Sequence, residues 1–215
     1  MRYLRLGVVR LSDLIPHEAT NPLRVKEVKY SIRNLRRVLK PVITDLRTGV
    51  VIDGHHRVEA LKELGLKYVP AIMINYRELR PPKPFNYYVV GLSRGGTELL
   101  VKELIRECDG CGDSEVVIKY SLGNDSINSL IIKSDLRLIH EVLSRLLRVL
   151  NASLTKVVSS ELPSNPYYVV LKPLRITHND VTKVAYEGEP YPPKTTYHVT
   201  KLKEVLRPTE VNLLR

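Results

Sequence analysis

The chain contains no tryptophan and no glutamine, and it has only two cysteines in 215 residues. Two cysteines are too few to form a disulfide framework. The pair Cys108 and Cys111 has neither a second cysteine pair nor a nearby histidine pair to complete a four-ligand zinc site. We therefore interpret Cys-Asp-Gly-Cys as a plain loop, with a redox pair as the alternative.

Long apolar runs are also missing. No stretch approaches the ~18 consecutive apolar residues of a membrane span. The N-terminus, residues 1–5, lacks the apolar core and cleavage site of a signal peptide. The sequence therefore predicts a cytoplasmic protein without a membrane partner. Apolar residues make up 43% of the chain, which is typical of a globular protein and too many for a disordered one.

Acidic residues are scarce in the first part of the chain. Residues 1–80 hold 16 basic and 8 acidic side chains, whereas residues 81–215 hold 18 and 15, giving a net charge of +11. A basic surplus attracts polyanions such as nucleic acid, nucleotides or an anionic membrane surface. A solvated basic surface without a specific partner is the alternative interpretation.

Hydrophobic periodicity predicts a mixed α/β (α+β) protein with two domains. The first domain covers residues 1–80, and Pro81-Pro82-Lys83-Pro84 is the linker before a C-terminal α+β domain at 85–215. In the first domain we expect strands at 3–9, 41–46, 50–52 and 69–74, and helices at 23–39 and from 55 to about 64. In the second we expect helices at 96–107, 134–150 and 176–184, and strands at 116–120, 129–132 and 167–171.

The strongest local signal is an apolar strand that runs into Asp53-Gly54-His55-His56-Arg57, with a helix beginning at once. A strand, a glycine turn and a helix N-terminus form an arrangement that binds phosphate through free backbone N–H groups. The two histidines and the arginine add side-chain donors. A helix cap by Asp53 with incidental polar neighbours explains less of the pattern.

Two further polar segments could carry chemistry. Pro16-His17-Glu18 places a carboxylate in a loop that proline stiffens, where it could act as a general base or bind a metal, although a surface glutamate is the simpler reading. Pro193-Lys194-Thr195-Thr196-Tyr197-His198 combines a lysine, two hydroxyls and a histidine, which suits a phosphate clamp without the glycine-rich start of a P-loop.

Together these three motifs resemble a known family. Asp-Gly-His-His-Arg before an apolar helix resembles the nucleotide motif of the ParB-like/sulfiredoxin-like fold. With Pro-His-Glu upstream and Pro-Lys-Thr-Thr-x-His-Val downstream, the chain is similar to the archaeal free L-serine kinases. The motifs occur in the family's order and bracket most of the chain. Between residues 82 and 185 only a general helix-and-strand pattern is recognisable.

The resemblance implies transfer of a phosphoryl group from a nucleotide to free L-serine, giving O-phospho-L-serine for serine and cysteine metabolism. It implies that Glu18 is the catalytic base and that Asp53 assists it, contacts Mg²⁺ or only caps the helix. Phosphate binding would fall to a larger set of residues: Gly54, His55, His56, Arg57, Lys194, Thr195, Thr196 and His198. The active site would lie in a cleft between the two domains.

Some features depart from the family. Members that use ADP as donor have a longer segment after the first helix and a tryptophan near the serine site, whereas this chain has no tryptophan, and Tyr87 or Tyr88 takes that place. The sequence therefore favours ATP over ADP. The residues that hold the metal and the serine carboxylate and amine are not predicted, and neither is the oligomeric state.

Three rival functions fit parts of the pattern. A ParB-like DNA-binding partition protein would use the basic charge, but it should follow its nucleotide domain with helix-turn-helix elements, whereas residues 115–135 look like strands. DNA is therefore not an expected partner. A sulfinic-acid reductase needs a cysteine where His55 stands. A nucleotide-binding regulator without catalysis remains an alternative, and Glu18 is the residue that discriminates it.

Overall fold

The computed structural model describes residues 4–123, 126–157 and 162–215. These residues form two compact units. Unit 1 comprises residues up to 82 together with 177–193 and 198–215, and unit 2 comprises 83–176 with 194–197. The division expected from the sequence differs from this one, because it assigned all of residues 85–215 to the second domain.

Unit 1 contains most of the elements expected for the first domain. Its elements up to residue 82 are β1 (Leu4–Arg10), α1 (Pro22–Leu35), β2 (Arg37–Val38), β3 (Val42–Asp45), β4 (Val51–Asp53), α2 (His55–Glu63) and β5 (Tyr68–Ile74). The strand expected at 3–9 is β1, and Tyr3 lies outside the described residues.

A four-stranded mixed sheet in the order β1-β5-β3-β4 forms the centre of unit 1. β1 and β4 run antiparallel to their neighbours, and β3 runs parallel to β5. The helices α1 and α2 contact each other, and their buried faces join β3, β4 and β5 in one apolar core that includes Val25, Ile32, Val58 and Leu61. This core fixes where β4 ends and α2 begins.

The first helix is shorter than its apolar pattern suggested. α1 begins where Asn21 Oδ1 accepts the N–H groups of Leu23 and Arg24, and Pro22 occupies the first turn. It ends at Leu35 because Arg36 adopts the left-handed conformation at φ 50°. The expected continuation to Leu39 is therefore wrong, and the short strand β2 occupies part of that segment.

Unit 2 is built around a five-stranded antiparallel sheet in the order β10-β7-β11-β8-β9. Its elements are β6 (Lys83–Pro84), β7 (Asn86–Val90), α3 (Arg94–Cys108), β8 (Ser114–Leu122), β9 (Ile127–Ser134), α4 (Leu136–Leu150), β10 (Ser153–Val157) and β11 (Tyr167–Pro173). α3 and α4 contact each other, and α3 also contacts three of these strands. Three of these strands, β6, β7 and β10, were not expected from the sequence.

The last part of the chain contributes to both units. α5 (His178–Glu187) belongs to unit 1, and β12 (Thr196–Tyr197) pairs with β6 in unit 2. β13 (Thr209–Glu210) returns to unit 1, where it pairs with β2, and the side chain of Leu214 is fully buried in the core of that unit. Among the described residues, no helix has the length and apolar character that a membrane crossing requires.

Candidate active site

Gly54 forms the turn between β4 and α2. Its φ of +103° lies in the left-handed region, which glycine adopts without steric cost. The first helical hydrogen bonds run from the N–H groups of Arg57 and Val58 to the carbonyl of Gly54. The N–H groups of His55 and His56 precede those bonds and have no partner inside the helix. This is the geometry of an anion site at a helix N-terminus.

Arg57 and Asp53 form an ion pair across this turn. Arg57 Nη2 donates to Asp53 Oδ2 at 2.6 Å, and Nη1 donates to the carbonyls of Lys40 and Pro41 at 3.0 and 2.7 Å. The guanidinium is therefore held in one orientation by three acceptors. Burial lowers the pKa of Arg57, and the adjacent Asp53 charge opposes that shift.

Lys203 is a cation at this turn that the motifs did not identify. Its Nζ lies 3.8 Å from Asp53 Oδ1, so the carboxylate of Asp53 lies between two positive groups. Asp53 does not cap α2 through its side chain, because Gly54 occupies the N-cap position and accepts the first helical bonds. Its Oδ2 instead accepts the hydrogen bond from Arg57 Nη2.

His56 is held by the start of α1. The backbone N–H of Asn21 donates to His56 Nε2 at 3.1 Å, which makes Nε2 an acceptor and leaves the proton of the neutral ring on Nδ1. Partial burial and the nearby Arg24 charge lower the pKa of His56. His56 can therefore offer a neutral Nδ1–H donor at this helix end.

His55 and His17 lie in the interior of unit 1. Their rings meet edge to face with centroids 4.6 Å apart, and His55 Nε2 lies 3.2 Å from His17 Nδ1. Burial lowers the pKa of His17 to about 4. Burial together with the neighbouring histidines also lowers the pKa of His55 well below its usual value. The side chain of His55 is therefore an internal packing group, whereas its backbone N–H belongs to the helix end.

The loop that carries Glu18 is fixed on both sides. His17 Nδ1 donates to the carbonyl of Val51 in β4 at 2.7 Å. The backbone of Tyr191 donates to the His17 carbonyl and accepts from the N–H of Ala19. His17 Nε2 lies 4.0 Å from Glu18 Oε1, and the Glu18 side chain is only 13% exposed. These bonds hold the Pro-His-Glu segment against the strand that leads into Asp53.

His198 also joins this part of unit 1. Its ring centroid lies 5.5 Å from that of His17, and its Nε2 shares a 2.7 Å hydrogen bond with the hydroxyl of Tyr76. Burial, followed by the neighbouring His17 and Lys203, lowers the pKa of His198. Burial raises the pKa of Tyr76 above its usual value. His17, His55, His198 and Tyr76 thus form a buried polar cluster beside the Glu18 loop.

The remaining predicted phosphate ligands belong to unit 2. Lys194 adopts the left-handed conformation at φ 58°, which is rare for a residue with a side chain. Thr195 and Thr196 are both buried. The Thr195 hydroxyl lies 3.3 Å from the hydroxyl of Tyr87, and its carbonyl accepts the N–H of Phe85. The loop is therefore tightly built, although its role in phosphate binding stays a prediction.

A cavity of about 550 Å³ opens at the N-terminus of α2 within unit 1. Its lining includes polar and charged groups, among them Gly54, His56 and Arg57. It also includes the apolar side chains of Val28, Ile32, Leu39 and Leu206. A cavity of this size and mixed lining is typical of a site for a small organic ligand that carries one charged end.

The described residues contain no cluster of three or more histidine, cysteine, aspartate or glutamate side chains that could hold a metal ion by itself. Cys108 is buried, Cys111 is exposed, and neither forms a disulfide. The Cys-Asp-Gly-Cys segment begins at the last residue of α3 and continues as a turn, with the N–H of Cys111 donating to the carbonyl of Cys108. This agrees with the interpretation as a plain loop.

Comparisons with known structures place the fold. A free serine kinase in complex with AMP superposes with a TM-score of 0.74 over 98% of this chain and 93% of its own, at 19% identity. The C-terminally truncated SbnI from Staphylococcus aureus superposes with a TM-score of 0.73 over 100% and 90%, at 20% identity. The two-unit architecture is therefore that of the free serine kinase fold. No family model matches the chain.

Sequence relatives define the family. The chain is 30% identical to the ATP-dependent L-serine kinase of Staphylothermus marinus over 100% of this chain and 93% of that protein. It is 26% identical to the enzyme of the same name from Desulfurococcus mucosus and 27% identical to a ParB-like protein of Sulfolobus acidocaldarius, in each case over more than 90% of both chains. The chain belongs to the family of ATP-dependent L-serine kinases.

Proposed function

We propose that this protein transfers the γ-phosphoryl group of ATP to the hydroxyl of free L-serine, producing ADP and O-phospho-L-serine. The observation that carries the proposal is the fixed position of Glu18 beside the strand that leads into the Asp53–Arg57 turn. A carboxylate and a phosphate-binding helix end in one part of unit 1 are the two components that transfer to a hydroxyl requires. The relatives named for this activity support the choice of serine and ATP.

The nucleotide would occupy the cavity at α2. Its phosphates would meet the N–H groups of His55 and His56, the Nδ1–H of His56 and the cationic Arg57. The apolar side chains that line the cavity, Val28, Ile32, Leu39 and Leu206, would pack against the base. For the Lys194 loop of unit 2 we propose phosphate binding on separate grounds, since a strained backbone such as its left-handed φ often marks a functional site.

Glu18 would accept the proton of the serine hydroxyl while oxygen attacks the γ-phosphorus. One proton then resides on Glu18, the O–P bond to serine forms, and the bond to ADP breaks. Mg²⁺ would be held mainly by phosphate oxygens of the nucleotide, with Asp53 as the carboxylate at that cavity, and it would neutralise phosphate charge. A metal ion held in this way needs few protein ligands, which is consistent with Asp53 as a single carboxylate ligand from the protein.

The test is a turnover assay with the purified chain, L-serine and Mg²⁺, supplied with ATP or ADP separately. We expect O-phospho-L-serine and ADP from ATP, both measured by chromatography. Formation of phosphoserine and AMP from ADP would show that ADP, and not ATP, is the phosphoryl donor. If neither nucleotide yields phosphoserine, while nucleotide-dependent DNA binding is measured, the ParB-like alternative would replace the kinase.

A further inference from the structure

A second cavity in unit 1 shares no lining residue with the cavity at α2. It measures about 220 Å³ and lies where the end of β3, the segment after β5 and the start of α5 meet. This volume is below the roughly 300–1,000 Å³ of sites for drug-sized ligands, so its ligand must be small. None of the three sequence motifs contributes to it.

Two arginines give this cavity its positive charge. Arg47 and Arg77 both line it, and within residues 4–123, 126–157 and 162–215 neither has a carboxylate at ion-pair distance. The cavity's acidic side chain, Asp45, is already engaged. Its Oδ1 accepts the N–H of Tyr76, and its Oδ2 accepts the N–H and hydroxyl of Thr48.

The helix at this cavity adds to the positive potential. His178 and Asn179, the first two residues of α5, line the cavity, and their N–H groups precede the first helical bonds. Cations are unfavourable at a helix N-terminus, so two arginines here do not serve to stabilise α5. Asp180, the nearby carboxylate of the first turn, is occupied by Thr177 in the capping box.

We propose that this cavity binds a small oxyanion, meaning a phosphate or carboxylate group. Arg47 and Arg77 supply charged donors in the planar form that matches two oxygens at once, and the amide of Asn179 adds a neutral donor. The proposal concerns binding alone and does not depend on the kinase activity. It adds a site to unit 1 that is separate from the predicted nucleotide site.

Binding of a ligand in this cavity should also change the environment of the buried polar cluster of His17, His55, His198 and Tyr76. Tyr76 lines the cavity, its ring meets that of His178 edge to face at 4.6 Å, and its hydroxyl is bonded to His198. A ligand that shifts Tyr76 therefore changes the surroundings of two histidine rings. Their imidazole NMR signals provide a direct spectroscopic report of binding.

The experiment titrates sodium phosphate, and separately sodium acetate, into the full chain saturated with a non-hydrolysable ATP analogue. Sodium chloride at equal ionic strength is the blank. Binding is followed by calorimetry and by the imidazole signals of ¹⁵N-histidine-labelled protein. The test variant is Arg47→Ala with Arg77→Ala. The matched control is Arg5→Ala with Arg10→Ala, since both arginines are exposed on β1 of the same sheet.

We expect saturable binding of at least one anion and a loss of at least about tenfold in affinity in the test variant, with the control unchanged. Arg47→Lys with Arg77→Lys keeps the charge and should retain part of the affinity. No saturable binding to the unmodified chain, or equal affinity in the test and control variants, would overturn the proposal. Serine phosphorylation without added anion should be unchanged in the test variant, which separates this result from the assay of the proposed function.

Discussion

Glu18 is the side chain on which the proposed chemistry depends most. Replacing Glu18 by Gln removes the charge and preserves the shape, so nucleotide binding should stay near normal. Turnover should fall by about 10²–10⁴, which is the usual contribution of a general base. Steady-state kinetics and nucleotide calorimetry measure the two effects separately.

Glu204→Gln is the matched control, because Glu204 is exposed and belongs to unit 1. It should leave both quantities unchanged. Turnover within a few-fold of the unmodified enzyme in Glu18→Gln would show that another group accepts the proton. The non-catalytic interpretation would gain support only if the unmodified chain also failed to phosphorylate serine.

Single residues also show how far the sequence could predict this site. Neighbours in sequence, such as Asp53 and Arg57, follow from one motif and form the expected turn. The hydrogen bond from His17 to Val51 joins residues 34 positions apart, and that of Tyr76 with His198 joins residues 122 apart. Lys203 beside Asp53 belongs to no motif. Such contacts depend on the tertiary fold, which residue spacing does not encode.

The strand–turn–helix element formed by β4, Gly54 and α2 can be tested at its glycine. A Cβ at Gly54 would lie 2.9 Å from both Arg57 Nη2 and Val42 Cγ1, and the φ is +103°. Gly54→Ala should therefore lose ~1–2 kcal/mol of unfolding free energy for the left-handed backbone and ~1–3 kcal/mol more for the displaced neighbours.

Gly65→Ala separates the two effects. Gly65 follows α2 at φ +69°, but a Cβ there would meet nothing within 4 Å, so only the backbone effect applies. Urea denaturation should show a smaller loss for Gly65→Ala than for Gly54→Ala, and nucleotide affinity should fall in Gly54→Ala alone. Equal losses in the two variants would contradict the close packing of Gly54 against Arg57.

Elements with strong local signals were predicted well. The expected helix at 134–150 is α4, which begins at Leu136 after the cap by Asp135, and the expected strand at 69–74 is β5. β7 and β10 were missed, although they pair with each other along five residues. β10 has an exposed serine and threonine and no run of apolar residues, so its strand character comes from the partner strand.

At the scale of the whole molecule, the buried histidines predict acid sensitivity. The pKa of His17 falls from 6.5 to about 4 on folding, so the unfolded chain binds a proton that the folded chain does not bind at intermediate pH. The contribution of His17 to the unfolding free energy should be nearly constant above about pH 7 and should fall as the pH drops to 4. His17 alone contributes a loss of ~3 kcal/mol by that point.

His55 and His198, whose pKa values are also lowered by burial, should steepen this dependence. The measurement is urea unfolding at several pH values, followed by a probe in unit 1. His17→Asn, which keeps a hydrogen-bond donor, should reduce the slope by about 1.2 kcal/mol per pH unit between pH 6 and 5. An unchanged slope in His17→Asn would show that His17 does not titrate with this shift.

Because unit 1 is built from separate parts of the chain, its composition determines which unit is completed first during synthesis. Residues 83–176, which form the five-stranded sheet and both helices of unit 2, are synthesised before α5, β13 and Leu214. Unit 1 holds the first element of the chain but lacks a strand and a core side chain until translation reaches residue 214. Domains generally complete their folding in N-to-C order during synthesis. Here the unit that begins first is the one that is completed last.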